Sequence, residues 1–448
     1  MKRRAFLQTT AGLATSAVLS PALAAPRRPR PNIVLVLCDD LGYGDIGCMG
    51  GRIPTPAIDR IARGGTLFTD FYAAANLCTP SRAGLLTGRY AVRTGLGYQV
   101  ILQNDERGLA PTEPTIASVL GAAGYACGLF GKWHLGHRGP AWPPTRHGFD
   151  QFVGIPYSHD MTPLSLFTID RSGETREEPA VLADLQQRFY GAAERFIEAN
   201  ATRPFFVELA LSAPHLPAHP PATWRGKSPV GSYGDTVMEI DALMGRLIAT
   251  LRRLGLERDT LVLFTSDNGP WYEGSAGPLR ARKGGGGYDG GYRAPLIVYR
   301  PGAVPAGRLC GAIAMATDFL PTFCAMAGAP APDVSLDGLD ISGLIEGRTD
   351  VTPHDELILF DNEDPVAIRT QRWSCVSSDY YRGRLFDTER RYPQLYDMRA
   401  DPSQTYSLAD RRPDVLADMQ RRLTDARRRF APYKSREIPA AFQRSGAS

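Results

Sequence analysis

Beyond its first 25 residues the 448-residue chain has no apolar run approaching the ~20 residues that a membrane-crossing helix requires. Stable membrane insertion is therefore not expected. The chain also lacks a surplus of either charge: 51 lysines and arginines face 47 aspartates and glutamates. Without Lys2, Arg3 and Arg4 the basic count falls to 48, so the balance gives no ground for a nucleic-acid partner, and any attraction for anions must be local to a site. No internal repeat is present. Nucleotide-binding signatures are missing too: Lys283 precedes the run Gly284 to Gly287 instead of following a glycine loop with Ser or Thr after it, and no G-x-G-x-x-G opens a strand–helix unit. Those glycines are expected to let a loop pass close to a ligand.

What is present begins at the N-terminus. Arg3-Arg4, followed by Phe6-Leu7, a short apolar stretch and Pro21-Ala22-Leu23-Ala24-Ala25, has the form of a twin-arginine signal over residues 1–25. The mature enzyme is thus expected in the periplasm or secreted, carried by the twin-arginine translocase. Seven cysteines (38, 48, 78, 127, 310, 324, 375) are an odd set for an exported protein, so at least one is unpaired or modified. Cys38, Cys127 and Cys310 lie in apolar or glycine-rich surroundings and read as buried, inert thiols. Cys78 alone lies among Thr, Pro, Ser and Arg.

Apolar, β-branched runs at 32–37, 125–130, 205–211, 260–265 and 295–299 read as strands buried on both faces. Helical periodicity between them, clearest over 237–251, implies an α/β fold with a large, mostly parallel central sheet flanked by helices. After about Pro353 short strand candidates at 367–370, 372–377 and 395–398 precede a helix. Its face carries Leu416, Met419, Leu423, Ala426 and Phe430. This predicts a larger α/β domain over 26–352 and, over 353–448, a smaller α+β subdomain with a short antiparallel sheet and a terminal helix.

The unusual polar residues fall at strand ends. Asp39-Asp40 follows the first, Lys132 and His134 the second, His215 the third and Asp267-Asn268 the fourth. Ligand sites of open α/β sheets form at the carboxyl ends of strands, so four ends converge on one site. Adjacent carboxylates at Asp39-Asp40 raise one another's pKa unless a cation compensates. Alone the pair reads equally as a turn or helix cap; with Asp267 and the Asn268 amide it makes an all-oxygen set suited to Ca²⁺, with Mg²⁺ the alternative. Cys78 precedes Pro80 and Arg82 in a helix-starting context that favours an anionic species, although a lone cysteine is usually structural. Lys132 and His134 share a face if their segment stays extended; otherwise they read as a surface lysine and a packed histidine, as His215 does.

The run Cys78-Thr79-Pro80-Ser81-Arg82 through Leu86-Thr87-Gly88-Arg89, together with Cys38-Asp39-Asp40-Leu41-Gly42, Gly131 to Gly136, Ala213-Pro214-His215, Ser266-Asp267-Asn268-Gly269 and Lys283 through Pro295, resembles the type I, formylglycine-dependent sulfatases of the alkaline phosphatase superfamily. Gly154 to Asp160 and Leu336 to Asp340 are most similar to the branch of arylsulfatase A and N-acetylgalactosamine-6-sulfatase. The stretch after Asp160 departs from that branch: it is shorter and lacks the cysteines found there.

The resemblance implies an alkaline phosphatase-like fold and hydrolysis of aryl or carbohydrate sulfate esters. A formylglycine-generating enzyme would oxidise Cys78. One Ca²⁺ would be held by Asp39, Asp40, the modified Cys78, Asp267 and Asn268. Arg82 would steady the formylglycine hydrate, and Lys132, Lys283 and Ser158 would contact sulfate. His134 would assist breakdown of the sulfated hydrate, and His215 would protonate the leaving alcohol. The alternatives are a phosphonate monoester or phosphodiester hydrolase of the same superfamily and a non-catalytic binder of sulfated glycans.

Overall fold

The computed structural model describes residues 30–378 and 392–435. The expected signal over 1–25 lies outside the described residues, as does the end of the expected C-terminal subdomain. A ten-stranded mixed sheet forms the centre. Its strands run in the spatial order Arg308–Cys310, Thr66–Phe68, Leu296–Tyr299, Thr260–Ser266, Asn32–Asp39, Phe205–Pro214, Ala126–Lys132, Gln151–Ile155, Ser165–Asp170 and Thr175–Pro179. The five strands from Thr260–Ser266 to Gln151–Ile155 are mutually parallel, so their carboxyl ends lie along one edge.

Alternation along the first strand explains its continuous hydrophobicity. Ile33, Leu35 and Leu37 enter one core with the helices Cys78–Thr87, Ile116–Ala122 and Phe319–Ala327. Val34, Val36 and Cys38 enter another with Pro56–Arg63, Leu185–Ala199 and Gly231–Arg253. A sheet covered on both faces has no solvent side on which to place polar residues.

The four apolar strands that carry the polar ends were each legible within three residues, and the helix expected over 237–251 extends over Gly231–Arg253. The hairpin Ser165–Asp170 and Thr175–Pro179 went unread because its outer strand, Thr-Arg-Glu-Glu-Pro, is an exposed edge with no apolar face. Charge and proline on such an edge oppose further strand pairing.

A second, antiparallel sheet of four strands, Leu357–Asp361, Asp364–Arg369, Trp373–Val376 and Gln394–Asp397, packs against the helix Pro413–Phe430. That helix buries Met419, Leu423, Ala426 and Phe430, four of the five positions expected on its inner face; Leu416 is partly buried against the same core. No helix among the described residues is long and apolar enough to cross a membrane.

Candidate active site

The five parallel strand ends gather the candidate residues into one buried cluster. The helix Cys78–Thr87 is buried along its whole length and aims its N-terminus at this edge. Cys78 is its first residue, and Pro80 lies in the first turn, where a missing N–H costs nothing. Thr79 Oγ1 donates to the His134 carbonyl (3.0 Å) and accepts from Ile101 N (3.0 Å), tying the helix start to two neighbouring loops.

Three buried ion pairs organise the centre. Lys132 Nζ lies 2.7 Å from Asp39 Oδ2, Lys283 Nζ 2.7 Å from Asp40 Oδ1, and Arg82 holds Asp267 Oδ2 through Nε and Nη2, each at 2.9 Å. Arg82 Nη1 also donates to the Lys132 carbonyl (2.9 Å). Lys132 and Lys283 thus stand as internal counter-charges against Asp39 and Asp40. Burial alone would raise the Asp39 pKa, but Lys132, His215 and Arg82 outweigh it and hold the carboxyl well below its usual range. Asp267 moves the other way, to about 6, because burial and the Asp39 charge exceed the pull of Arg82. Lys283 is raised: Asp40 and its neighbours overcome the cost of burial.

Cys78 Sγ lies 3.3 Å from Asp39 Oδ1, 3.9 Å from Asp40 Oδ1 and 3.2 Å from Lys283 Nζ. Burial, then Asp267 and Asp39, push its thiol well above the ordinary range. It is a protonated thiol and a poor nucleophile as it stands. Arg82 reaches Asp267 and the Lys132 carbonyl, not the thiol.

Ligand atoms of Asp39, Asp40, Cys78 and Asp267 all lie within 4.8 Å of one another. Asn268 Nδ2 donates to Asp40 Oδ1 (2.7 Å) and to the Gly269 carbonyl (2.8 Å), while its Oδ1 is buried with no partner. A carboxylate-rich set with one orphaned amide oxygen fits a hard divalent cation.

The segment after Lys132 does not stay extended. Gly131 has φ 131°, and a Cβ there would lie 1.7 Å from the Ala210 carbonyl oxygen; His134 has φ 58°. The face-sharing argument for Lys132 and His134 therefore fails. A backbone turn, not strand alternation, sets the imidazole. His134 Nε2 meets the Ile101 carbonyl at 2.9 Å, which assigns the proton to Nε2 and leaves Nδ1 as a buried acceptor without a partner. Burial, reinforced by Lys132, lowers its pKa well below the ordinary value, so the ring is neutral.

His215 Nδ1 donates to the Leu216 carbonyl (2.6 Å), and its Nε2 stands 3.7 Å from Asp40 Oδ2. Ser158 Oγ is buried without a partner. His159, not anticipated from sequence, packs edge-on against His215 with ring centroids 5.5 Å apart. Its only prior signal was its place beside Ser158.

A sheet edge that collects carboxylates, cations and imidazoles around a helix N-terminus defines a hydrolase site for a charged ester. Residues 31–329 match the Sulfatase family model, and residues 287–429 match that for the N-sulphoglucosamine sulphohydrolase C-terminal region. The chain belongs to the sulfatase family and is a sulfuric ester hydrolase. It is similar to arylsulfatase A of Homo sapiens, with 37% identity over 89% of this chain and 87% of that protein. It is also similar to N-acetylgalactosamine-6-sulfatase of Sus scrofa, with 38% identity over 72% of this chain and 67% of that protein. The solved PsFucS1 sulfatase from Pseudoalteromonas sp. superposes with a TM-score of 0.82 and 25% identity, covering 92% of each chain.

Proposed function

We propose that Cys78 is converted to formylglycine and that the enzyme hydrolyses aryl or carbohydrate sulfate monoesters with one Ca²⁺ in its site. The observation that carries this reading is the placement of a protonated, buried cysteine at a helix N-terminus within contact of Asp39, Asp40 and Lys283. Asp39, Asp40, Asp267, Asn268 and the oxidised side chain at position 78 would hold the ion. When bound, it supplies charge neutralisation and polarisation of a sulfate oxygen.

The Lys132 and Lys283 ammonium groups would hold sulfate oxygens, with Ser158 Oγ as a further donor. One hydroxyl of the hydrated aldehyde gives its proton to Asp267 and attacks sulfur as the S–O bond to the alcohol breaks, and His215 gives the departing alcohol a proton. The second hydroxyl then loses its proton with help from His134, whose unpartnered Nδ1 is the available acceptor. Collapse to the aldehyde expels sulfate, a route closed to plain cysteine or serine. Arg82 would act on the hydrate through Asp267, the carboxylate it holds beside position 78.

Cys78 is 1% exposed, which supports oxidation by a formylglycine-generating enzyme before folding and export by the twin-arginine translocase afterwards to the periplasm or beyond. The start of the second sheet at Leu357 supports a division between a catalytic domain over 26–352 and a C-terminal subdomain over 353–448.

The test combines mass spectrometry of the Cys78 peptide from active native enzyme with parallel turnover of aryl sulfate and aryl phosphonate esters. The aldehyde and a strong preference for sulfate are expected, with Cys78→Ala reducing kcat on the order of 10³-fold or more. An unmodified thiol in active material sinks the formylglycine mechanism, and a large preference for phosphonate reassigns the substrate.

A further inference from the structure

Asp40 is a non-glycine residue in left-handed backbone conformation, with φ 65°. Such a residue persists only where its surroundings hold it. Its N–H meets Asp267 Oδ1 at 3.2 Å, and the next N–H, of Leu41, meets Ser266 Oγ at 2.9 Å. Its carbonyl is contacted from outside the sheet edge: Tyr233 Oη lies 3.2 Å away.

Tyr233 stands in the first turn of the helix Gly231–Arg253 and is 4% exposed. Its hydroxyl is also 2.5 Å from Asp45 Oδ2. Asp45, 3% exposed, accepts from Gly42 N (2.7 Å) on that same oxygen and from Ser275 N (2.8 Å) on the other. Gly44 N donates to the Ser275 carbonyl (2.7 Å), and a Cβ at Gly42 would lie 2.3 Å from that oxygen. Three segments, the turn at 40–45, the loop after Asn268 and the start of a long helix, are therefore clamped through one phenol and one carboxylate.

We infer that Tyr233 and Asp45 are positioning residues for Asp40: they fix its left-handed peptide so that its carboxylate faces Cys78 and Asp267. Neither residue hydrogen-bonds to Cys78, Lys132 or Lys283. The contact of Tyr233 with the Asp40 carbonyl is the direct route by which they act on the site. The inference rests on the reading of Asp40 as an ion ligand.

Calorimetric titration of Ca²⁺ into chelator-stripped protein tests it, using wild type, Tyr233→Phe, Asp45→Asn and the double variant. Tyr233→Phe changes no charge, so a Coulombic effect on the ion is excluded. It is expected to weaken Ca²⁺ binding about tenfold, equivalent to about 1.4 kcal/mol. The double variant should bind no more weakly than the weaker single variant, because both residues act through one clamp. Wild-type affinity in Tyr233→Phe, or a lowered melting temperature with affinity intact, overturns the inference alone. Wild type that binds no Ca²⁺ overturns the ion reading and this inference with it.

Discussion

Glu208 occupies the middle of the strand Phe205–Pro214, level with Leu35 and Leu129 on the flanking strands. It is 3% exposed, and its Oε2 has no partner. Burial lifts its pKa to about 7, with Arg82 the one charge pulling it back. A carboxyl whose folded pKa exceeds its unfolded value favours folding below the unfolded pKa and loses that contribution as pH rises through about 7. The shift corresponds to about 3 kcal/mol once the group is ionised. Glu208→Gln removes the titration. Its melting temperature relative to wild type should therefore climb by a few degrees between pH 5 and pH 8. Parallel thermal scans across that range check this, and a constant difference would show that Glu208 stays at its ordinary pKa. The same sign applies to Asp45, held up to about 6 by burial despite its bonds from Tyr233 and Ser275.

The strand ends were readable because apolar runs buried on both faces leave chemistry nowhere to go except beyond the last residue, as Asp39-Asp40 and Asp267-Asn268 show. Tyr233 and Asp45 were not readable in this way: one sits in an ordinary amphipathic helix, the other in a glycine-rich turn, and only tertiary packing joins them. The Gly284–Gly287 run was read as a loop passing close to a ligand. The structure brings it against protein: a Cβ at Gly287 would lie 2.6 Å from Ala367 Cβ of the second sheet. The loop that carries Lys283 is anchored there. Arg280 Nη1 donates to Tyr396 Oη (2.8 Å) and the Gln404 carbonyl (2.7 Å), and Gln404 Oε1 accepts from Asp289 N (2.9 Å). Gln404 Nε2 donates in turn to Ser374 Oγ (2.9 Å). Gln404→Ala orphans the buried Asp289 N–H, and it should lower stability by about 1–3 kcal/mol. Because Lys283 lies between the two anchors, KM for an aryl sulfate should rise more than kcat falls. Unfolding and steady-state kinetics on one preparation check both, and an unchanged KM would uncouple this loop from sulfate binding.

At the scale of the molecule, the four-stranded sheet is tied to the segments 70–72 and 289–293 by a buried charge network and not merely by an apolar seam. Arg369, 1% exposed at the end of a strand of the second sheet, donates through Nε to Tyr72 Oη (2.7 Å) and through Nη2 to Asp70 Oδ1 (3.0 Å). Tyr72 Oη donates to Asp289 Oδ2 (2.8 Å), which Arg293 Nη1 also reaches at 3.2 Å. Two arginines, Arg369 and Arg293, thus balance two aspartates, Asp70 and Asp289. Around them Tyr72, Tyr90 and Tyr292 pack into one cluster with Leu359, Ile368 and Phe430. Removing one member of a buried pair leaves a charge without compensation, which typically costs about 3–5 kcal/mol, whereas an apolar replacement of the whole network can be nearly neutral. Arg369→Met keeps much of the side-chain volume while deleting the charge. It should lower the stability of the whole chain by about that amount, with the four-stranded sheet still melting with the rest because its apolar cluster with Tyr72, Tyr90 and Tyr292 remains. Calorimetry gives the decisive reading: one cooperative transition at reduced temperature fits a common core. A separate early transition in the variant would instead show that the network, not the apolar cluster, is what joins the second sheet to the catalytic body.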